Sequence, residues 1–156
     1  MGKKAYLCIL KLLPNMEKVI IVTGASSGFG KSIAERLAGR GHKVYGICRR
    51  PMENGSVTYL QGDVRDAARM GEIVEEIYGR EGRIDVLVNN AGMGIGGALE
   101  LATEEEYRLQ VETNFYGCVN ACQRVLPYMR KQRAGQIINL SSNGGVMGLP
   151  YQGFYS

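Results

Sequence analysis

From residue 19 onward, the apolar positions of this chain alternate between two periods. Val19, Ile20, Ile21 and Val22 form a continuous β-branched run, the pattern of a strand buried on both faces. Residues 28–39 follow with Phe29, Ile33 and Leu37 at helical spacing, and Gly41 ends the helix. Residues 43–48 and 57–62 read as short strands. Asp66 is placed to cap a helix whose Met70, Ile73, Val74 and Ile77 mark one face. Residues 84–89 make another near-continuous apolar strand. Thr103 and Glu106 have the spacing of a capping box that opens a long helix. Its later face carries Phe115, Cys118, Val119, Cys122, Leu126 and Met129, and Pro127 within it is expected to bend the helix or loosen one turn. Residues 136–141 form the last strand. Strands alternating with helices predict an α/β fold, a doubly wound parallel sheet with right-handed crossovers.

Composition leaves this picture intact. At 156 residues, 45% hydrophobic and 22% charged, the chain has the make-up of one globular domain. The net charge of +4 is mild and its basic residues are scattered. With no long Lys/Arg run and no aromatic platform, nucleic acid is not an expected partner. The four cysteines have neither metal-ligand nor C-x-x-C spacing. No metal site is therefore expected, and a reducing cytoplasm is the expected location. Cys118 and Cys122, one helical turn apart, read as small core residues. Ahead of Met16, Lys3 and Lys4 precede a short apolar run interrupted by Lys11. That run is too short to cross a membrane and lacks a small-residue cleavage site. Met16 opens the first-strand segment, so residues 1–15 are expected to be an N-terminal extension or a misassigned start, or else an amphipathic tail that packs on the surface or associates with a membrane, with the domain occupying residues 16–156.

The chemistry begins where the first strand ends. Gly24, Gly28 and Gly30 lie in a loop between an apolar strand and a helix. A strand, a tight turn and a helix N-terminus together form a site for a dinucleotide pyrophosphate. Gly24 can make the turn, Gly28 lets a phosphate approach bare backbone, and Gly30 lets the helix pack close to the strand. The spacing is G-x-x-x-G-x-G, not the commoner G-x-G-x-x-G, and such a turn alone also occurs with no ligand.

Six stretches in order carry a more specific resemblance: Thr23-Gly-Ala-Ser-Ser-Gly-Phe-Gly30, Gly62-Asp63-Val64, Asn89-Asn90-Ala91-Gly92, Asn114-Phe-Tyr-Gly117, Ile138-Asn-Leu-Ser-Ser142 and Tyr155-Ser156. In these the chain resembles the short-chain dehydrogenase/reductase family from Met16 to its end. The resemblance implies a Rossmann-type domain and hydride transfer between a nicotinamide cofactor and a carbonyl or alcohol carbon. It assigns cofactor binding to Gly24, Ser26, Ser27, Gly28, Phe29, Gly30, Asp63, Val64, Asn90, Ala91 and Gly92. Asp63 would accept from the adenine amine, or else act as a turn acid. The asparagines after the fourth strand would hold the sheet as well as line the ribose. In NAD-selective members an acid ends the second strand. Here Cys48, Arg49 and Arg50 stand there, with no acid before Glu53. Two guanidiniums suit a 2′-phosphate, so NADP is expected rather than NAD.

The resemblance also names catalytic residues. Tyr155 would act as general acid in reduction and base in oxidation. Ser142, rather than Ser141, would hydrogen-bond the substrate oxygen, and Asn114 would position a water for proton relay. Val146, Met147, Leu149, Tyr151 and Phe154 would wall an apolar pocket nearby. The lysine of the family's Tyr-x-x-x-Lys motif falls past Ser156, as do the last strands and the lid that selects substrates. The expected protein is therefore an N-terminal part of a truncated member, with five strands present and the C-terminal strands missing. A full-length parent would be an NADP(H)-dependent oxidoreductase and a homo-oligomer acting on a small molecule. The alternative is a catalytically inactive nucleotide-binding fragment. The fifth strand would form an exposed edge.

Overall fold

A computed structural model describes residues 16–156 of the chain. The extension expected over residues 1–15, with Cys8 in it, lies outside the described residues. Five strands form one sheet: β1 (Val19–Thr23), β2 (Lys43–Cys48), β3 (Thr58–Gln61), β4 (Val86–Asn89) and β5 (Gln136–Asn139). Every neighbouring pair is parallel, in the order β3-β2-β1-β4-β5. This is the predicted doubly wound Rossmann-type sheet, with β5 on one edge. β1 pairs with β2 on one side and β4 on the other, so the topological switch point lies beside the ends of β1 and β4, where such sheets bind ligands.

Helices cover the sheet as the strand alternation requires. Helix α1 (Gly28–Ala38) joins β1 to β2, and α2 (Ala67–Glu81) joins β3 to β4. Between β4 and β5 lie α3 (Glu104–Val111), a π-helical turn at Glu112–Tyr116 and α4 (Gly117–Lys131). Ile20, Val22, Val86 and Val88 point to one face, where Ile33, Ala34 and Leu37 of α1 pack on them. Val19, Ile21, Tyr45, Ile47 and Leu87 point to the other, against Met70, Ile73, Val74 and Ile77 of α2 and Ala121, Val125 and Met129 of α4. Each large aliphatic side chain so buried contributes about 1.5–3 kcal/mol.

The caps form as the sequence requires. The Asp66 carboxylate accepts from the Arg69 N–H at 2.9 Å, and Gly82 closes α2 with φ 68°. Thr103 and Glu106 make both bonds of the capping box.

Two helix faces differ from expectation. Phe29 is exposed, and α1 buries Gly30, Ile33, Ala34 and Leu37 instead. The predicted long helix is interrupted by the π turn. Its core stripe is Gly117, Ala121, Val125 and Met129, so of the six expected positions only Met129 is fully buried. The buried stripe is built largely of small residues because the helix approaches closely: a Cβ on Gly117 would lie 2.5 Å from Val64 Cγ2. Phe115 is 60% exposed. Cys118 and Cys122 are half-buried rather than core. Burial and the neighbouring Cys122 push the Cys118 thiol up to about 11. α4 continues without a break through Pro127.

Candidate active site

At the switch point, side chains from β1 and β4 lock the two strand ends together. The Thr23 hydroxyl oxygen accepts from the backbone N–H groups of Asn90 at 3.1 Å and Ala91 at 3.0 Å. Asn90 Nδ2 donates back to the carbonyls of Thr23 at 3.0 Å and Gly24 at 3.2 Å. Asn89 Nδ2 reaches Asn139 Oδ1 at 2.9 Å and so ties β4 to β5. The sheet-holding role expected of the two asparagines is thus visible bond by bond.

The turn after β1 grows from this lock. Gly24 has φ 66° and Gly28 φ 54°, both in the left-handed region that glycine tolerates. A Cβ on Gly30 would collide with the Gly24 carbonyl oxygen and Asn90 Nδ2, so α1 leans directly on the locked strand ends. At Gly28 the opposite holds: a Cβ would meet no atom within 4 Å. Ser27 is the N-cap of α1, and its side chain makes no capping bond. Ser26 is half-buried, while Ser27, Gly28 and Phe29 are exposed. A helix N-terminus with open backbone at Gly28, its first residue, fits an anionic pyrophosphate.

Beside this turn lie the ends of β2 and β3. Arg49 and Arg50 are both exposed. Their carbonyls are held by neighbours: Cys48 Sγ donates to the Arg50 oxygen at 3.1 Å and Gln61 Nε2 to that of Arg49 at 3.1 Å. Asp63 accepts from the Arg65 backbone N–H at 3.0 Å and pairs with its guanidinium at 2.6 Å. Those bonds hold its carboxyl below the ordinary range, and the Arg49 charge adds to the effect. An adenine amine would therefore share an acid already engaged with Arg65. Val64 is buried, and its carbonyl accepts from Asn120 Nδ2 at 3.0 Å.

The third part of the site is the glycine loop after β4. Asn114, on the π turn, accepts from the Met93 N–H at 2.8 Å through Oδ1 and donates to the Met93 carbonyl at 2.7 Å through Nδ2. Gly92 lies under the same side chain, where a Cβ would be 3.3 Å from Asn114 Oδ1. One helical turn earlier, Gln110 Oε1 accepts from the Ile95 N–H at 2.6 Å. Two side-chain amides thus fix the backbone on either side of Gly94. Gly94 in turn meets the ring of Tyr155, its virtual Cβ 3.4 Å from Cδ2. The other side of that ring meets Gly144, with a virtual Cβ 3.0 Å from Cδ1. Ser142 Oγ accepts from the Gly144 N–H at 3.2 Å. The ring of Tyr155 therefore sits between two glycines, one beyond Asn114 and one beside Ser142.

The expected apolar wall is only partly there. Val146, Met147 and Tyr151 are exposed, because residues 146–151 run through turns with no element packed over them. Phe154 instead stacks on Tyr107, with ring centroids 4.9 Å apart. Together they border a cavity of about 230 Å³ that also includes Ile95, Leu99, Leu101 and Gln110. Gln110 is the residue that sequence reasoning missed: it is only 1% exposed. Its one signal was position, four residues before Asn114 on the same helical face. No helix among the described residues is long and apolar enough to cross a membrane.

Comparison with known proteins agrees with this fold. The chain is similar to the 3-ketodihydrosphingosine reductase of Bacteroides thetaiotaomicron, with 61% identity over 140 residues, covering 89% of this chain and 52% of that protein. It spans about half the length of that curated relative. The ligand-free aldohexose dehydrogenase of Thermoplasma acidophilum superposes with a TM-score of 0.85 at 32% identity, over 90% of this chain and 55% of the other. ElxO with NADP bound superposes with a TM-score of 0.84 at 30% identity, over 90% and 61%. The family model described as short chain dehydrogenase matches residues 18–156. With that match over most of its length, the chain belongs to the short-chain dehydrogenase family.

Proposed function

We propose that this chain carries the nucleotide-binding half, and part of the catalytic apparatus, of an NADP(H)-dependent oxidoreductase interconverting a ketone and an alcohol. The observation that carries the reading is the pair of opposed glycines in the first turn. Gly30 is forced by contact with the protein, whereas Gly28, with φ 54° and no atom within 4 Å of a Cβ, leaves its backbone open to a ligand. Gly24, Ser26, Ser27, Phe29, Asn90, Ala91 and Gly92 would contribute to holding the cofactor there, and Asp63 and Val64 would border its adenosine. Arg49 and Arg50, exposed at the end of β2, would hold a 2′-phosphate through charge-assisted forked bonds. The name of the relative at 61% identity supports reduction of a keto group.

Bound nicotinamide would supply hydride to the carbonyl carbon. This chain's own groups handle the oxygen. Tyr155 would give its phenolic proton to that oxygen in reduction and take it back in oxidation. Ser142 Oγ already accepts from Gly144, so its hydroxyl proton is available to donate to the same oxygen. Asn114 holds Met93 with both amide atoms and retains one proton and one lone pair for a water.

The test is calorimetric titration of the purified chain with NADPH and NADH. NADPH is expected to bind more tightly. Arg49→Asp should remove about 1.5–3 kcal/mol of NADPH affinity while changing NADH binding little. Tighter NADH binding by the unmodified chain would overturn the cofactor assignment.

A further inference from the structure

The cavity beside Tyr155 has one polar group with a fixed orientation and no partner. Gln110 Oε1 accepts from the Ile95 N–H at 2.6 Å. Swapping the amide would set two donors against each other, so the nitrogen must be Nε2 as drawn. That nitrogen is buried without a hydrogen-bond partner among the described residues. Gln110 lines a cavity whose other walls are largely aliphatic and aromatic: Ile95, Leu99, Leu101, Tyr107 and Phe154. Glu106 lines the same cavity, its carboxylate held by the Thr103 N–H at 2.9 Å and the Thr103 hydroxyl at 3.0 Å. A fixed negative charge there disfavours an anionic occupant. The cavity also adjoins the proposed reaction centre, because Ile95 follows Gly94 and Phe154 precedes Tyr155.

We propose that this cavity is a substrate subsite for a neutral aliphatic segment bearing a hydrogen-bond-accepting oxygen, which Gln110 Nε2 recognises. Calling the ligand substrate rests on the oxidoreductase reading; the subsite itself is defined by geometry. Its volume of about 230 Å³ accommodates a segment of a ligand rather than a whole drug-sized molecule. An occupant without an acceptor would leave the buried amide unsatisfied, so discrimination follows from what the site lacks when filled wrongly. Gln110 thereby both holds the loop at Ile95 and selects for polarity inside an apolar pocket.

The experiment titrates the chain with 2-hexanone and with its shape-matched hydrocarbon, 2-methyl-1-hexene, followed by amide and methyl NMR shifts. The ketone should bind about tenfold more tightly, with the largest shifts at Ile95 and Gln110. Gln110→Met should erase that preference while still binding the hydrocarbon. Gln110→Glu keeps an acceptor for the Ile95 N–H and should lose the preference at neutral pH, which separates the donor's role from loop support. Equal binding of the two probes, no binding of either by the folded chain, or a preference surviving in either variant would overturn the subsite. NADPH titration of the same samples reads the nucleotide site separately. Normal cofactor binding without ketone preference would sink the subsite alone, whereas ketone preference without cofactor binding would sink the oxidoreductase reading.

Discussion

The turn over residues 24–30 and the segment over residues 141–156 face the same site but are held in different ways. The turn rests on buried strands, and its shape is fixed by Thr23, Asn90 and two positive-φ glycines. A side chain at Gly30 has no room at all. The later segment is mostly exposed and is secured by a few short-range turns. The Tyr155 and Ser156 N–H groups both bond the Gln152 carbonyl, and the Leu149 N–H bonds Ser156 Oγ. Its long-range contacts are few: the Tyr155 ring on Gly94, the Phe154 ring stacked on Tyr107, and the Gly97 N–H donating to the Tyr151 carbonyl at 2.8 Å. The proposed binding half of the site is therefore set by packing of the core. The proposed reacting half depends on how well a few loop contacts stay together.

This contrast is sharpest for the tyrosine. When residues 16–156 are joined to the remaining part of the Bacteroides relative, the chimera should reduce ketones with NADPH. Tyr155→Phe should lower its turnover by about 10²–10⁴ and leave NADPH affinity and thermal midpoint unchanged. A coincident loss of cofactor binding would mean that the two halves of the site are not separable in this way.

A smaller effect is expected from the fold. Gly30→Ala forces the Gly24 carbonyl and Asn90 amide apart and should destabilise the domain by about 1–3 kcal/mol, read by urea denaturation. Gly94→Ala, whose Cβ would sit 3.4 Å from the Tyr155 ring, should cost far less stability. Comparable losses at the two positions would erase the distinction between core-set and loop-set halves.

The smallest effect lies at the other end of the sheet and depends on pH. Tyr45 donates to Glu81 at 2.7 Å. Burial first, then the Glu81 hydrogen bond and charge, push its phenol up to about 12. An unfolded phenol titrates near ~10, so the folded state binds this proton more tightly. The resulting stability is complete below pH ~10 and is lost as pH rises toward about 12. Tyr45→Phe should flatten that alkaline decline, measured as unfolding midpoint against pH. An unchanged decline would remove Tyr45 as its cause.

Much of the architecture was legible because apolar period and cap chemistry agreed. Met70, Ile73, Val74 and Ile77 are all buried, as their spacing required. Asp66, Thr103 and Glu106 make the expected caps. The later helix was misread for a physical reason. Its close contact uses Gly117 and Ala121, which carry little hydrophobic signal, and the π turn before them changes the phase. Gln110 was invisible because a buried amide looks like a surface residue until the loop it holds is known. Phe29 misled in the opposite sense, an apolar residue exposed at the start of α1 beside the glycine turn.

The backbone at Gly28 is left open, whereas Gly30 is closed by the protein itself. Whether that opening takes the cofactor is read by measuring NADPH affinity and thermal midpoint together in Gly28→Val. The left-handed backbone there costs the variant about 1–2 kcal/mol of stability, and its Cβ meets no protein atom within 4 Å. The domain is expected to unfold cooperatively still, with its midpoint lowered modestly, yet to have lost NADPH binding. Wild-type NADPH affinity in the variant would mean that the Gly28 backbone does not hold the cofactor.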